Sequence, residues 1–301
     1  MEKQTHKEQN GFTKENGILL APTDAEEFRS YKRQKRVTEV TAAIAKAETE
    51  LRAGEDIQRV CQRAIRTGQA AVKVPLSKLP RAVVCLKASS VKVDCMIGGN
   101  GETFARVKAL ESKLAKRHGA QEITLTLAPS LVESCRYGEI RRELKRVRKA
   151  VGKVPLKVRA ESIFSPTALS RIARIACETG AKFFSVPYFA GCEKLRVELT
   201  GGCGLEVTGV ETLADYKRLN GAGVSRISTQ RAWEIYSEWL IEANETTVGV
   251  VSTSEKLPIE KEKPLASTPA TTVTAPNTPP LKRDEEINYR CRIVDGRLTF
   301  T

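Results

Sequence analysis

The chain has 301 residues, 41% of them hydrophobic, which is enough for one sizeable core with tails to spare. No apolar run approaches the roughly 18–20 residues of a membrane span, so a membrane protein is not expected. A formal charge of +14 favours anionic partners (phosphorylated metabolites, nucleic acid or acidic surfaces), while aromatics at 5% argue against stacking platforms for single strands.

The opening segment, residues 1–22, is polar and carries both signs of charge. It lacks the apolar stretch of a secretory signal and is expected to be a disordered tail. Thr23 or Asp24 then caps a helix, with Glu26 and Glu27 in its first turn, where the helix dipole favours carboxylates. The helix continues through FRSYKRQKRVTEV. Its cluster Lys32, Arg33, Lys35 and Arg36 wraps the circumference, either as a solvated face or as an anion-binding arm.

From about 43 to 240, short β-type runs alternate with longer amphipathic ones. The strand candidates are 69–74, 91–97, 122–127, 154–160, 182–187, 204–208 and 224–228. Helical patterns lie between them at 104–119, 139–152 and 165–180. The first two close on Gly119 and Gly152; the third has Ser165 as N-cap, Pro166 at its first position and Gly180 as its stop. An eighth strand would lie in TAAIAKAETEL (41–51), where helix propensity is also high, and the sequence leaves both options open. Repeated strand–helix alternation predicts a parallel α/β sheet, and seven or eight units in about 200 residues fit a small (β/α)8 TIM barrel. The rival is an open doubly wound sheet, but no G-x-G-x-x-G opens a helix after the first strand.

Residues 244–286 are rich in Pro, Thr, Ser, Lys and Glu and are expected to be a flexible linker. Asp295-Gly296 between two alternating runs then predicts a C-terminal hairpin in 287–301. An isolated hairpin is marginal in water, so a docking site on a protein partner or on the barrel itself is expected for it. The barrel would occupy 23–243.

The eight cysteines form no C-x-x-C pair, and several sit in apolar runs such as VVCLK and IACET. That pattern fits buried free thiols in a reducing cytosol, so a cytoplasmic protein is expected. His6 and His118 are the only histidines, and no metal or other cofactor is expected.

The segments EDIQRVCQRAIRTGQAAVKV, VKVDCMIGGNGETFARVKALESKLAKRHGAQEITLTL, LKVRAES, GAKFFSV and LEVTGVETLADYKRLNGAGVSRIST follow one another in an order and spacing that resemble the deoxyribose-phosphate aldolases. The resemblance covers about 50–230. It implies covalent catalysis, in which a lysine on the sixth strand forms an imine with the substrate carbonyl. GAKFFS places Ser185 at that position. A second lysine, on the seventh strand, lowers the nucleophile's pKa in the family; Glu206 stands there. An aspartate on the fourth strand handles protons; Thr124 stands there. The resemblance also implies a phosphate site at the C-terminal mouth, carried over to Thr208, Gly209, Ser228 and Thr229, although Val210 replaces a second glycine. The same hydroxyls could instead cap the helix that follows. Gly98, Gly99 and Gly101 match the open loop after the third strand, and a homodimer is common in the family.

Two further residues attract attention. Glu161, at the end of the fifth strand, is either an acid–base group or a structural hydrogen-bonding partner. Lys73 stands where the family has a small thiol, and period-two alternation points it into the barrel with Ala71. It is either an ion-pair partner of Glu206 or a relocated imine lysine. In RYGEIRRELKRVRKAVGK, Ile140, Leu144, Val147 and Val151 make the buried stripe, so the basic residues face outward as a solvated face or a docking surface.

The leading expectation is a barrel that kept the aldolase fold, lost its chemistry and acts in binding, scaffolding or regulation, with a phosphorylated small molecule as a candidate ligand at the mouth. The alternative is an active lyase on a phosphorylated sugar or aldehyde, using Lys73 or a Glu161/Glu206 acid–base mechanism. The third is nucleic-acid binding through the basic helices.

Overall fold

The computed structural model describes residues 25–245 and five short strands outside that range. Eight parallel strands close into a barrel: β1 (Ala47–Glu50), β2 (Ala71–Pro75), β3 (Lys92–Ile97), β4 (Glu122–Thr126), β5 (Leu156–Arg159), β6 (Phe183–Pro187), β7 (Gly204–Thr208) and β8 (Arg226–Thr229). Each strand pairs in parallel with its sequence neighbours, and β8 closes on β1 through Ile227↔Ala47 and Ser228↔Glu48. This is the (β/α)8 TIM barrel, and the open-sheet alternative is excluded by the closure.

The ambiguous 41–51 segment divides. Helix α1 (Ala25–Ile44) takes its first part and β1 takes Ala47–Glu50. Eight further helices are α2 (Ile57–Thr67), α3 (Leu79–Leu86), α4 (Ala105–Arg117), α5 (Pro129–Glu133), α6 (Tyr137–Val151), α7 (Pro166–Glu178), α8 (Leu213–Gly221) and α9 (Ala232–Glu245). The Ser165 side chain accepts a hydrogen bond from the Ala168 N–H, so the expected N-cap of α7 is made. Helix α9 runs to Glu245, into the first two residues of the expected linker. The rest of that linker lies outside the described residues.

The apolar core is the shell between sheet and helices. Val72, Val74, Ile123, Leu125, Val158, Phe184, Val207 and Ile227 point outward from their strands and are buried beneath the helices. The stripe Ile140, Leu144, Val147 and Val151 of α6 meets them, all four fully buried. The other face of each strand points into the barrel, and there most of the residues are polar.

Three short strands, His6–Lys7, Thr13–Glu15 and Ile18–Leu20, form an antiparallel sheet within the N-terminal segment; the remainder of that segment lies outside the described residues. The C-terminal hairpin is present as Cys291–Val294 paired with Arg297–Phe300, in the register Val294↔Arg297; Asp295 and Gly296 lie outside the described residues. It belongs to a compact unit, Ser252–Thr301, separate from the unit Met1–Val251 that holds the barrel.

The loop after β3 depends on one glycine. Gly101 has φ +92°, and a Cβ there would lie 2.0 Å from the Leu127 carbonyl oxygen. Gly101→Ala is therefore expected to cost at least about 2 kcal/mol, read as a lower urea midpoint at unchanged slope. An unchanged midpoint would show that the loop re-routes freely.

Candidate functional site in the barrel interior and mouth

Inward-facing side chains stack in layers, because alternate residues of each strand face the axis. The middle of the barrel holds Glu48, Asp94, Lys157 and Glu206 from the odd strands and Lys73, Thr124, Ser185 and Ser228 from the even ones, every one with no solvent exposure. All three positions that the resemblance marked as catalytic, Thr124, Ser185 and Glu206, are therefore buried inside the barrel, as is Lys73.

Lys73 is paired with Glu206: its Nζ lies 2.6 Å from Glu206 Oε1, 3.2 Å from Glu48 Oε1 and 3.9 Å from Asp94 Oδ2. It also donates to Ser228 Oγ at 3.4 Å, so Ser228 faces the interior and not the mouth. Ser185 Oγ donates to the same Glu206 oxygen at 3.1 Å. Thr124 Oγ1 donates to Asp94 Oδ2 at 2.6 Å.

A second inward lysine, Lys157 on β5, is the centre of the network. Its ammonium contacts Glu48, and lies 3.0 Å from Glu206 Oε2 and 3.1 Å from both Asp94 Oδ2 and Glu122 Oε2. Arg226 completes the set from below, 3.2 Å from Glu48 and 3.2 Å from Glu122. The Phe183 ring lies under both cations, 5.5 Å from Lys157 and 5.0 Å from Arg226. Residue-by-residue inspection of the sequence missed Lys157. The available signal was the alternation of LKVRA, which aims Lys157 and Arg159 inward whenever Val158 faces the helices.

The electrostatics follow from this packing. Burial works to lower the lysine pKa values, but Glu206 and Glu48 outweigh it for Lys73, and Asp94, Glu206, Glu48 and Glu122 outweigh it further for Lys157. Both amines are held above the ordinary lysine value. Burial works to raise the Glu48 carboxyl, yet Lys157, Lys73 and Arg226 hold it well below the usual range. Glu206 is also lowered, against burial and the Glu48 charge, by Lys157 and Lys73. With Glu122 and Arg226 included, four carboxylates face three cations, so the network carries one negative charge too many. Asp94 is the group that absorbs the imbalance. Burial, opposed by Lys157 and reinforced by the Glu48 charge, pushes its carboxyl up to about 7.

Above this layer Arg159 spans the barrel, with Nη1 3.2 Å from Glu50 Oε2 and Nε 3.0 Å from Glu161 Oε2. Glu161 is thus a partly exposed rim residue tied to Arg159, and the structure does not bring it to Glu206 or Lys73. The Glu50–Arg159 pair forms the floor of an open cavity of about 650 Å³ at the C-terminal mouth. Thr208, Gly209 and Thr229 line it together with Arg52 and Arg231. Gly209 has φ +72°, which leaves its amide in an exposed turn. The Thr229 hydroxyl accepts from the Arg231 N–H at 2.9 Å and donates to the Val210 carbonyl, so it caps the start of α9 while facing the cavity. Arg52 donates to the Gln230 carbonyl at 2.8 Å and Arg231 to the Glu211 carbonyl at 2.7 Å, which holds both guanidinium groups at the rim. Among the described residues no cluster of His, Cys, Asp and Glu is arranged to hold a metal ion, and no helix is long and apolar enough to cross a membrane.

Comparison with known proteins agrees with this architecture. No family profile matches the chain. A deoxyribose-phosphate aldolase of Caldanaerobacter subterraneus subsp. tengcongensis is 30% identical over 199 residues, which cover 62% of this chain and 86% of that protein. One from Aciduliprofundum boonei is 29% identical over 196 residues, covering 60% of this chain and 87% of that protein. Among solved structures, an aldolase named QR15 superposes with a TM-score of 0.62 at 22% identity, covering 67% of this chain and 98% of that one. Deoxyribose phosphate aldolase from Aeropyrum pernix superposes with a TM-score of 0.58 at 17% identity, covering 72% and 98%. At those identities the structural matches speak for the barrel fold alone.

Proposed function

The chain belongs to the deoxyribose-phosphate aldolase family, and from that premise we propose that it is a binding barrel that no longer performs the family's imine chemistry. The observation that carries this reading is the closed ion-pair layer inside the barrel. An imine-forming lysine must present a neutral amine to a carbonyl. Lys73 and Lys157 are fully buried, each is surrounded by carboxylates, and both are held in the ammonium form. Ser185, at the position that the resemblance gives to the nucleophile, offers a hydroxyl already committed to Glu206. The floor made by Glu50 and Arg159 also separates the mouth cavity from that layer, so a ligand in the mouth has no path to either amine.

What remains is the cavity itself. Its basic rim, its hydroxyls and the Gly209 turn suit a phosphorylated small molecule held by its anionic end, and the family's substrates have that chemistry. The C-terminal hairpin offers strand edges of the kind a protein partner pairs with.

Borohydride reduction in the presence of deoxyribose 5-phosphate tests the proposal. Intact-mass spectrometry is expected to show no adduct, while calorimetry shows phosphate-ester binding that Arg52→Gln with Arg231→Gln weakens by roughly tenfold. A reduced adduct on Lys73 or Lys157, absent from the corresponding Lys→Met variant, would establish the lyase alternative in its place.

A further inference from the structure

We propose that the adjoining outer faces of α4 and α6 form a docking surface for the phosphate backbone of double-stranded nucleic acid. Arg142, Lys145, Arg146 and Lys149 recur at i, i+3, i+4 and i+7 of α6. That spacing puts them on one stripe about 10 Å long. The opposite stripe is buried against the barrel, which fixes these four outward, and all four are exposed. Like charges at such spacings weaken a helix, so the stripe is kept at a cost to stability.

Neighbouring charges do not neutralise it. Glu143 turns inward to Lys108, with 2.8 Å between ammonium and carboxylate, and Glu139 pairs with Arg136. The other basic residues of the helix are engaged elsewhere: Arg141 with Glu178, and Arg148 with the Gly152 and Val154 carbonyls. No carboxylate partner of Arg142, Lys145, Arg146 or Lys149 occurs among the described residues. Helix α4 packs beside α6 and adds Lys116 and Arg117 from its last turn, both exposed. The Lys116 ammonium sits at the end of α6, where a Cβ on Gly152 would lie 3.1 Å from it. Two packed helices lie about 8–10 Å apart, so Lys116 adds its cation beside the Lys149 end of the α6 stripe.

The chemistry of the face selects the partner. A protein partner is held by clustered apolar and aromatic anchors; the α6 stripe contains neither, and α4 exposes only the separate aliphatic side chains of Val107 and Leu110 on its outer face. Single strands need aromatic platforms, which are also missing here. Duplex nucleic acid presents one charge about every 1.7 Å along its axis and requires only cations in register with it. Helices of this barrel run antiparallel to its strands, so the ends of α4 and α6 that carry Lys116, Arg117 and Lys149 lie opposite the mouth. The surface is independent of the mouth cavity and does not rest on the function proposed above.

Fluorescence anisotropy of the full chain with a labelled mixed-sequence DNA duplex provides the test. A complex is expected at about 50 mM salt, weakening by about 150- to 2,000-fold at about 200 mM, as four to six neutralised phosphates imply. The variant R142Q/K145Q/R146Q/K149Q is expected to lose the complex or to reduce the salt slope by about 0.9 per residue. A control that removes equal charge from α2, α3 and the residues flanking α3 (R59Q/K78Q/R81Q/K87Q) keeps binding and slope. Circular dichroism of both variants checks that the barrel persists. Absence of a complex at about 50 mM salt, an equal loss in the control variant, or tighter binding of poly-glutamate or of phosphatidylserine vesicles than of the duplex would each overturn the proposal.

Discussion

Replacing Lys157 with methionine is expected to lower the unfolding free energy by about 3–5 kcal/mol, the range for removing one partner of a buried charge network. Lys157 contacts Glu48, Asp94, Glu122 and Glu206, none of which reaches solvent beyond a trace. Methionine fills a similar volume, so packing is nearly conserved and the loss is electrostatic. With Lys157 gone, four carboxylates face only Lys73 and Arg226. The excess must be relieved by proton uptake, so the destabilisation grows as pH rises from about 5 to about 8. Urea unfolding of wild type and variant at both pH values measures it. A cost below about 1 kcal/mol would mean that water enters the layer and that its ion pairs behave as surface pairs do. Asp94→Asn in the Lys157→Met background removes one of the unpaired charges and should recover part of the loss, giving a coupling energy that two independent sites would not show.

Asp94→Asn in the wild-type background is expected to stabilise the barrel, increasingly so at higher pH. The direction follows from linkage. The folded-state Asp94 carboxyl is pushed up to about 7, against an ordinary 3.8, so its contribution to stability is full below about 3.8 and is lost as pH rises through about 7. Glu48 and Glu206 act oppositely: their folded-state values are lowered, so their contribution is present above about 4.5 and lost as pH falls through the folded values. Wild-type stability should therefore peak between these windows, near pH 5. Asparagine imitates the protonated acid. Its amide oxygen can accept from Thr124 Oγ1, as Asp94 Oδ2 does at 2.6 Å, and its NH2 can donate toward Glu48. Three pKa units correspond to about 4 kcal/mol, or on the order of 10 °C in Tm for a barrel of this size, at pH 8. Thermal scans from about pH 4 to about pH 8 would refute the assignment if the two proteins kept a constant difference.

These two residues also mark the limit of what the sequence discloses. Strand–helix alternation and the cap and stop residues of α7 are local features, so the barrel was legible from them. The inward orientation of Lys73 was legible for the same reason, and its partner Glu206 could be named because the resemblance placed both at the mouth. Asp94, Glu48, Glu122, Lys157 and Arg226 were not anticipated as a cluster. Alternation says which side chains face the axis, but the stagger of a closed barrel decides which of them share a layer, and that is set by the whole sheet. The first strand shows the same limit. AETE has the composition of a helix, and it is a strand here because the barrel interior takes Glu48 and Glu50 while Ala47 packs outward. An apolar-inside template finds no signal in a strand whose buried face is ionic.

The ionic layer has a consequence for the order in which the barrel assembles. Its members come from strands across nearly the whole chain: Glu48 on β1 meets Arg226 on β8, 178 residues later. Until the eighth strand arrives, Glu48 and Glu122 lack that cation, and any partly closed sheet would bury uncompensated carboxylates. Early collapse around the apolar shell is thus permitted, while closure of the axis is postponed until the last strand is available. The interior charges act as a completion check on the chain, rewarding only the register in which all eight strands are present.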